Sequence, residues 1–157
     1  MSQGSGEAIS AIIVLLAVVA LLGSAVGYGR RADKAALDVD STMGLLCVTP
    51  HKALKLLSFR SRITVPLDSI TEVSVNPRIW QQCTVRRRRA GLALPGIRYG
   101  GFIGDDGHSF WLAGPVASGA PLVLRLTGQP FDYLVIDQAD PGSTALRLRN
   151  ALRGNRR

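Results

Sequence analysis

The most distinctive chemical feature of this sequence is a run of four consecutive arginines, Arg86–Arg89. Trp80 precedes the run, and the intervening residues 81–85 carry no charge. Guanidinium groups bind phosphate and carboxylate oxygens, and an indole ring favours the interface of a bilayer. The sequence therefore predicts that an exposed loop or edge excursion contacts anionic lipid or a protein partner through Trp80, Arg86, Arg87, Arg88 and Arg89. The alternative is a solvated loop that only keeps the domain soluble.

Other groups that could do chemistry do not form a recognisable catalytic set. Asp105 and Asp106 are neighbours in the segment 104–107, whose glycine-flanked sequence is typical of a hairpin turn, so we interpret them as turn residues. His51 and His108 have no nucleophile or acid at a spacing that indicates catalysis. The sequence predicts no catalytic, cofactor-binding or metal-binding residue, and an unrecognised enzyme is a remote alternative.

The two cysteines indicate neither a metal site nor a structural disulfide. Cys47 and Cys83 are far apart in the chain, form no CxxC pair and do not cluster with the histidines. Cys47 lies in the apolar run 45–48, which predicts a small buried hydrophobic side chain. A disulfide is not expected if the domain is cytoplasmic.

Positive charge is unevenly distributed along the 157 residues. All 19 Lys and Arg residues lie at or after Arg30, whereas Glu7 is the acid that precedes this point among 11 acidic residues. Such an imbalance draws a domain to anionic surfaces, namely lipid headgroups, nucleic acid or an acidic protein. Nucleic acid is not favoured, because the sequence shows no recognition helix and no platform of stacking aromatics.

Residues 8–28 predict a single-pass transmembrane helix that follows an N-terminal tail at residues 1–7. The segment contains no charged residue. As a helix it would be about 31 Å long, close to the thickness of a bilayer core. A cleaved secretory signal is the alternative, but such a signal begins with basic residues that residues 1–7 lack. Arg30, Arg31 and Lys34 follow the span, so we expect the N-terminus outside and the C-terminal part cytoplasmic.

Small residues near the end of the predicted span indicate helix–helix packing. Gly23 and Gly27 form a GxxxG pair, and Ala20 and Ser24 form a second small-xxx-small pair. Small side chains let two helices approach closely within a membrane. We expect association through this stripe, either with a second copy of the chain or with a partner protein.

After a polar linker at residues 29–42, the hydrophobic pattern changes to that of short strands. Apolar or alternating segments predict strands, with the first two forming a hairpin and the last lying centrally, at residues 45–48, 53–59, 61–67, 70–75, 98–103, 108–113, 121–127 and 131–136. Asp140 and Pro141 then predict the start of an amphipathic helix that ends near Gly154. Residues 154–157 form a basic tail.

Strands followed by one C-terminal helix resemble the order of a pleckstrin-homology (PH) fold. The segments 63–73, 95–102, 121–124 and 131–136, followed by the Asp140–Pro141 helix, are similar to bacterial PH-like domains of small membrane proteins. The resemblance covers residues 43–153. It implies a mainly-β domain of about seven antiparallel strands in a barrel or sandwich, capped by the C-terminal helix.

The resemblance implies an interaction module without a defined enzymatic activity or cofactor. Together with the predicted span, it leads us to expect a non-catalytic, membrane-anchored accessory or scaffolding subunit of a larger complex in a bacterial plasma (inner) membrane. The alternative hypothesis is a domain that binds anionic phospholipid through its basic loop.

Overall fold

The computed structural model describes residues 34–114 and 120–155, together with the single positions Leu16 and Ala20. Among these residues, no helix has the length and apolar character needed to cross a membrane. The predicted span at residues 8–28 lies outside the described residues except at Leu16 and Ala20, and so does the tail at residues 1–7.

A small antiparallel sheet contains the strands β1 (Ala35–Asp40), β2 (Leu45–Pro50) and β3 (Ile63–Pro66) in that order. Strand β1 corrects the prediction of a linker over residues 29–42. Its apolar side chains alternate with charged ones, and Leu37 and Val39 pack against the core. The alternation is short and includes two aspartates, which is why the sequence was interpreted as a polar linker.

Residues 52–58 form the helix α1 (Lys52–Ser58), where the sequence predicted a strand over residues 53–59. That prediction was wrong. Leu54 and Ser58 are four residues apart and both are buried, and the Ser58 hydroxyl donates a hydrogen bond of 2.6 Å to the Leu54 carbonyl. A short apolar run fits a strand and a buried helical turn equally well, so periodicity alone did not separate them.

The described residues from Leu67 onward form a second, larger sheet with two helices. Its elements are a 3-10 turn (Leu67–Ser69), β4 (Ile70–Val75), α2 (Ile79–Gln82), β5 (Arg87–Leu94), β6 (Ile97–Gly104), β7 (Gly107–Ala113), β8 (Leu122–Leu126), β9 (Tyr133–Ile136) and α3 (Pro141–Asn155). The strand order is β4-β8-β9-β7-β6-β5. All neighbours are antiparallel except β7 and β9, which are parallel. Strand β9 is therefore an inner strand, as the sequence predicted.

The predicted fold, a PH-like barrel or sandwich of about seven antiparallel strands, is corrected by this topology. Nine strands form two separate sheets over the described residues, one strand pair is parallel, and the larger sheet ends at β4 and β5 without closing into a barrel. Two of the nine strands were missed because β1 and β5 carry charged residues that the pattern assigned to a linker and a loop. The expected C-terminal helix is present as α3.

The main hydrophobic core lies between the two sheets and α3, where apolar side chains of β4, β7, β8 and β9 meet those of β2 and β3. Helix α3 begins where the sequence predicted, because an Asp140 carboxylate oxygen accepts the Ser143 N–H at 3.0 Å. Ala145 and Leu148 bury the inner face of this helix. A second core, around Trp111, lies on the opposite side of the large sheet.

The glycine-rich stretch between residues 91 and 101 forms a tight hairpin between β5 and β6. Gly91 and Gly100 are paired across the two strands and have φ angles of 126° and 117°. A Cβ atom on Gly91 would collide with the Tyr99 carbonyl oxygen, and one on Gly100 with that of Ala90. The glycines therefore allow β5 to approach β6 closely along the edge of the sheet.

Candidate functional site

The arginine run lies on an exposed edge of the large sheet. Arg87, Arg88 and Arg89 are the first three residues of β5, the last strand of that sheet, and all three are exposed. Arg86 immediately precedes the strand and forms a salt bridge with Asp105. The loop predicted for this run is in fact the start of a strand.

The side chains of the arginines in β5 do not all point to the same face of the sheet. Arg87 is paired with Ile103 and Arg88 with Phe102, and successive residues of a strand point to opposite faces. The register shifts between Arg88 and Ala90, so Arg89 lies at a bulge. Among residues 34–114 and 120–155, no carboxylate forms an ion pair with Arg87, Arg88 or Arg89.

Trp80 is not part of this exposed surface, because its ring packs into the second core. The Trp80 and Trp111 ring centroids are 4.9 Å apart. The Arg98 guanidinium lies 5.0 Å from the Trp80 ring and 4.6 Å from the Trp111 ring, and it donates a 3.0 Å hydrogen bond to the Cys83 carbonyl. Burial lowers the pKa of Arg98 below its ordinary value. Trp80 is thus part of a half-buried stack with Arg98 and the buried Trp111.

The helix α1 carries an exposed apolar site that the sequence did not predict. Leu56 is 70% exposed and Phe59, the residue that ends the helix, is 71% exposed. Phe59 has a φ of 55°, the left-handed conformation, and no other non-glycine residue in the described part of the chain has a positive φ. Glycine or asparagine usually occupies such a helix end because other side chains crowd the backbone there.

Two depressions adjoin Phe59. An apolar groove of about 400 Å³ between α1 and β5 is lined by Leu56, Leu57, Phe59, Gly91 and Leu92. A crevice of about 110 Å³ lies beside it, and its lining includes Phe59, Arg60 and Arg89. Phe59 therefore separates an apolar groove from a crevice that two arginines border.

Basic side chains surround the apolar residues of α1. Lys52 and Leu56 are four residues apart on the helix, as are Lys55 and Phe59, so each lysine lies one turn before an exposed apolar residue. We name this surface the α1 patch; it consists of Lys52, Lys55, Leu56, Phe59, Arg60 and Arg89.

The segments that build the α1 patch contain no acidic residue. No Asp or Glu occurs between Asp40 and Asp68, or between Glu72 and Asp105. The first stretch contains α1 and the second contains β5, and the two stretches carry ten basic residues in total. The positive charge of the patch is therefore not neutralised by its own segments.

A third depression, of about 450 Å³, lies between α2 and the strands β4 and β8. Its lining mixes charges of both signs, with Glu72, Asp106 and Arg125 beside Cys83 and Tyr133. Burial, reinforced by the charge of Asp106, raises the pKa of the Cys83 thiol above its ordinary value. The thiol is therefore protonated at neutral pH and is not an activated nucleophile.

The candidate acid, base and metal-binding groups are dispersed. Asp105 accepts a 3.0 Å hydrogen bond from the Thr84 hydroxyl in addition to its salt bridge with Arg86. Cys47 and Cys83 are both free thiols. Within the part of the chain that the structure describes, no three His, Cys, Asp or Glu side chains come together as a metal site.

Lys34, predicted to set the membrane topology, is buried in the domain with only 1% of its surface exposed. Its N–H donates to the Asp137 carbonyl at 3.0 Å, and its own carbonyl accepts the His51 N–H at 3.1 Å. Burial raises the pKa of Asp137 to about 6, and the charge of Lys34 opposes part of that rise. Of the other predicted membrane-segment residues, Ala20 is helical, and Gly23, Ser24, Gly27, Arg30 and Arg31 lie outside the described residues.

Comparisons with known proteins do not assign this site to a family. No family model, no curated protein and no solved structure matches the chain. None of the three comparisons names a PH-like domain, so the resemblance stays an interpretation of the sequence.

Proposed function

We propose that this chain is a non-catalytic, membrane-tethered interaction module, acting as an accessory or scaffolding subunit of a larger membrane complex. The observation that carries the proposal is the exposed start of β5, where Arg87, Arg88 and Arg89 have no carboxylate partner among the described residues. Unpaired charges at a sheet edge steer and orient a complementary partner. The basic edge is thus a surface for an acidic region of another protein.

The sequence of the N-terminal segment supports the membrane tether. Residues 8–28 contain no charge, and Arg30 and Arg31 follow them. A segment of this length and composition spans a bilayer core, and basic residues that follow it are retained on the cytoplasmic side. In this proposal the folded residues 34–155 lie on the cytoplasmic side of the membrane.

Purification of the full-length chain from its native membranes in mild detergent tests the proposal. We expect companion membrane proteins in fixed stoichiometry, and we expect Gly23→Leu with Gly27→Leu to deplete them because bulky side chains keep helices apart. Ala25→Leu is the matched control, since on a helix position 25 faces away from the small-residue stripe. Recovery of the chain alone, with no stoichiometric companion, would refute the accessory-subunit role.

Direct binding of anionic phospholipid is the second candidate function. It is favoured by the exposed apolar residues Leu56 and Phe59, which an acidic protein surface does not require. Each Lys or Arg near an anionic membrane contributes about 1 kcal/mol of attraction. Retention of anionic lipid by a chain that is purified without companions would support this candidate over the first.

A further inference from the structure

We propose that the α1 patch docks on the headgroup layer of an anionic bilayer. Leu56 and Phe59 enter the interface, and Lys52, Lys55, Arg60 and Arg89 bind lipid phosphates. The inference rests on the proposed function, because the membrane tether is what brings α1 to the bilayer.

The apolar part of the patch stands out from the surface of the domain. Leu56 and Phe59 each leave about two thirds or more of their side chains in water, at 70% and 71% exposure, and they adjoin an apolar groove of about 400 Å³. An apolar surface rimmed by basic side chains is typical of an interfacial helix. Protruding side chains enter a fluid headgroup layer without needing a matching pocket.

The backbone conformation of Phe59 indicates that this residue is not present to stabilise the C-terminal end of α1. The residue has a φ of 55°, a conformation that costs an ordinary L-residue about 1 kcal/mol or more. Asparagine or glycine would end the helix with less strain. A large exposed ring at this position therefore favours contact outside the domain over stability of the domain.

The charges of the patch fit an anionic lipid surface. Arg60 and Arg89 border the same crevice next to Phe59, and the lysines lie one helical turn before Leu56 and Phe59. No acid occurs between Asp40 and Asp68 to repel phosphate. Each basic side chain near such a surface raises the binding constant about fivefold.

The path of the chain places α1 near the predicted tether. The Lys34 carbonyl accepts the His51 N–H at 3.1 Å, and α1 begins at the next residue, Lys52. The five residues between Tyr28 and Lys34 span at most about 20 Å, and a seven-residue helix is about 10 Å long. By this route, across the Lys34–His51 hydrogen bond, α1 lies within about 35 Å of Tyr28.

A depth measurement on the full-length chain tests this inference. The chain carries a spin label at Leu56→Cys, with Cys47→Ser and Cys83→Ala removing the native thiols, and is reconstituted in nanodiscs. Phosphatidylcholine nanodiscs with phosphatidylglycerol are compared with phosphatidylcholine alone. We expect oxygen dissolved in the bilayer to reach the label, and a water-soluble nickel chelate to be excluded, only in the anionic discs. High salt should reverse the effect.

A label at Leu146→Cys is the matched control. Leu146 is also an exposed leucine, at 57%, but it lies on α3 outside the patch. Its label should stay accessible to the aqueous chelate in both lipids. If the label at position 56 behaves like the one at position 146 in anionic discs, docking on lipid is refuted. Shielding of position 56 in native membranes but not in purified lipid would assign the patch to a protein partner and would likewise refute it.

Phe59→Asn separates a loss of docking from a loss of folding. Asparagine fits the left-handed backbone, so the variant should unfold no more easily than the wild type while its docked population falls about tenfold.

Alkaline carbonate extraction of the same samples tests the tether independently. If the chain resists extraction but position 56 stays in water, the membrane tether is supported and docking of the α1 patch is refuted. If the chain is extracted at alkaline pH but docks at neutral pH, docking of the α1 patch is supported and the membrane tether is refuted.

Discussion

The acidic and basic side chains of this domain have different roles. Asp132, Asp137 and Asp140 each accept a main-chain N–H, from His108, Gly114 and Ser143 respectively. By contrast, the basic residues of the α1 patch are exposed or half-buried and form no ion pair among the described residues. The carboxylates thus hold turns and strand ends in place, while the excess positive charge is left to contact something outside the domain.

Two arginines show that a basic residue can serve the fold here through a hydrogen bond to the backbone or by stacking on aromatic rings. Arg149 donates two hydrogen bonds to the Val73 carbonyl, at 3.0 and 2.7 Å, and Arg98 stacks on the two tryptophans. Hydrogen bonds or ring stacking within the fold, and not burial, therefore identify these two structural arginines, because Arg149 is as exposed as the patch arginines. Variants of the patch residues and of the structural residues test this division.

Removal of the four patch charges should abolish docking and leave the fold intact. The variant is Lys52→Ala, Lys55→Ala, Arg60→Ala and Arg89→Ala in the full-length chain. We expect the ratio of docked to undocked protein in anionic nanodiscs to fall about 100-fold or more, with unfolding free energy changed by less than about 1 kcal/mol. The label at position 56 reports docking, and denaturant unfolding reports stability.

The matched control for the patch variant is Arg147→Ala with Arg153→Ala, which removes two exposed charges from α3. It should leave docking unchanged, because these residues lie outside the patch. If the control lost about half as much docking free energy as the four-charge variant, in proportion to the charge removed, net charge alone and not the α1 patch would attract the domain to lipid.

Asp137 should make the domain less stable at neutral pH than at acidic pH. Its pKa is about 6 in the fold, above the ordinary 3.8, so the folded state holds the proton more tightly than the unfolded state. The stabilisation is complete below about pH 4 and is lost as the pH rises through about 6, a difference of about 3 kcal/mol. Asp137→Asn cannot titrate and should flatten the profile of unfolding free energy against pH.

Asp38→Asn is the control for this profile, since Asp38 is exposed. The dependence of the unfolding free energy on pH is measured for this variant alongside Asp137→Asn. If Asp137→Asn retained that dependence, another group would be responsible, and the buried carboxylate would not have the role assigned to it.

Asp132→Ala should destabilise the fold moderately without affecting docking. The carboxylate accepts the His108 N–H at 2.8 Å at the start of β7, and alanine leaves that donor to water. We expect a loss of about 1 kcal/mol in unfolding free energy. Asp38→Ala provides the comparison, and an equal effect in both variants would argue that Asp132 is no more structural than any surface acid.

Asp105→Ala should have the smallest effect. The salt bridge between Asp105 and Arg86 joins two exposed side chains, at 49% and 73% exposure, and such pairs contribute about 0–1 kcal/mol. Unfolding free energy should change by less than about 1 kcal/mol. A larger loss would show that the contacts of Asp105 with Arg86 and Thr84 are structural.

The sequence predicted the elements whose hydrophobic pattern is long or regular. Residues 70–75 form β4, the segment 131–136 contains the inner strand β9, and α3 begins at Asp140 and Pro141 as expected. The prediction from sequence failed where charged residues or a short segment obscured the hydrophobic periodicity. The arginines concealed β5, the aspartates concealed β1, and the leucines of α1 fitted a strand as well as a helix.

The candidate site could be predicted only in part for the same reason. The run Arg86–Arg89 was evident, but its division by strand alternation and by the bulge required the register of β5 with β6. Trp80 was grouped with the run by proximity in sequence, whereas the fold packs it on Trp111. The exposure of Leu56 and Phe59 could not be predicted, because the sequence indicated a strand here and a strand would have exposed a different set of residues.

Hydrogen exchange of the full-length chain in nanodiscs tests the central claim most directly. The amides of residues 52–62 and 87–94 are compared with those of α3, in phosphatidylcholine discs with and without phosphatidylglycerol. We expect slower exchange in α1 and β5 only when anionic lipid is present, with the exchange of α3 unchanged. Unchanged exchange in α1, or equal slowing in α3, would contradict the assignment of the α1 patch as the face that docks on the membrane.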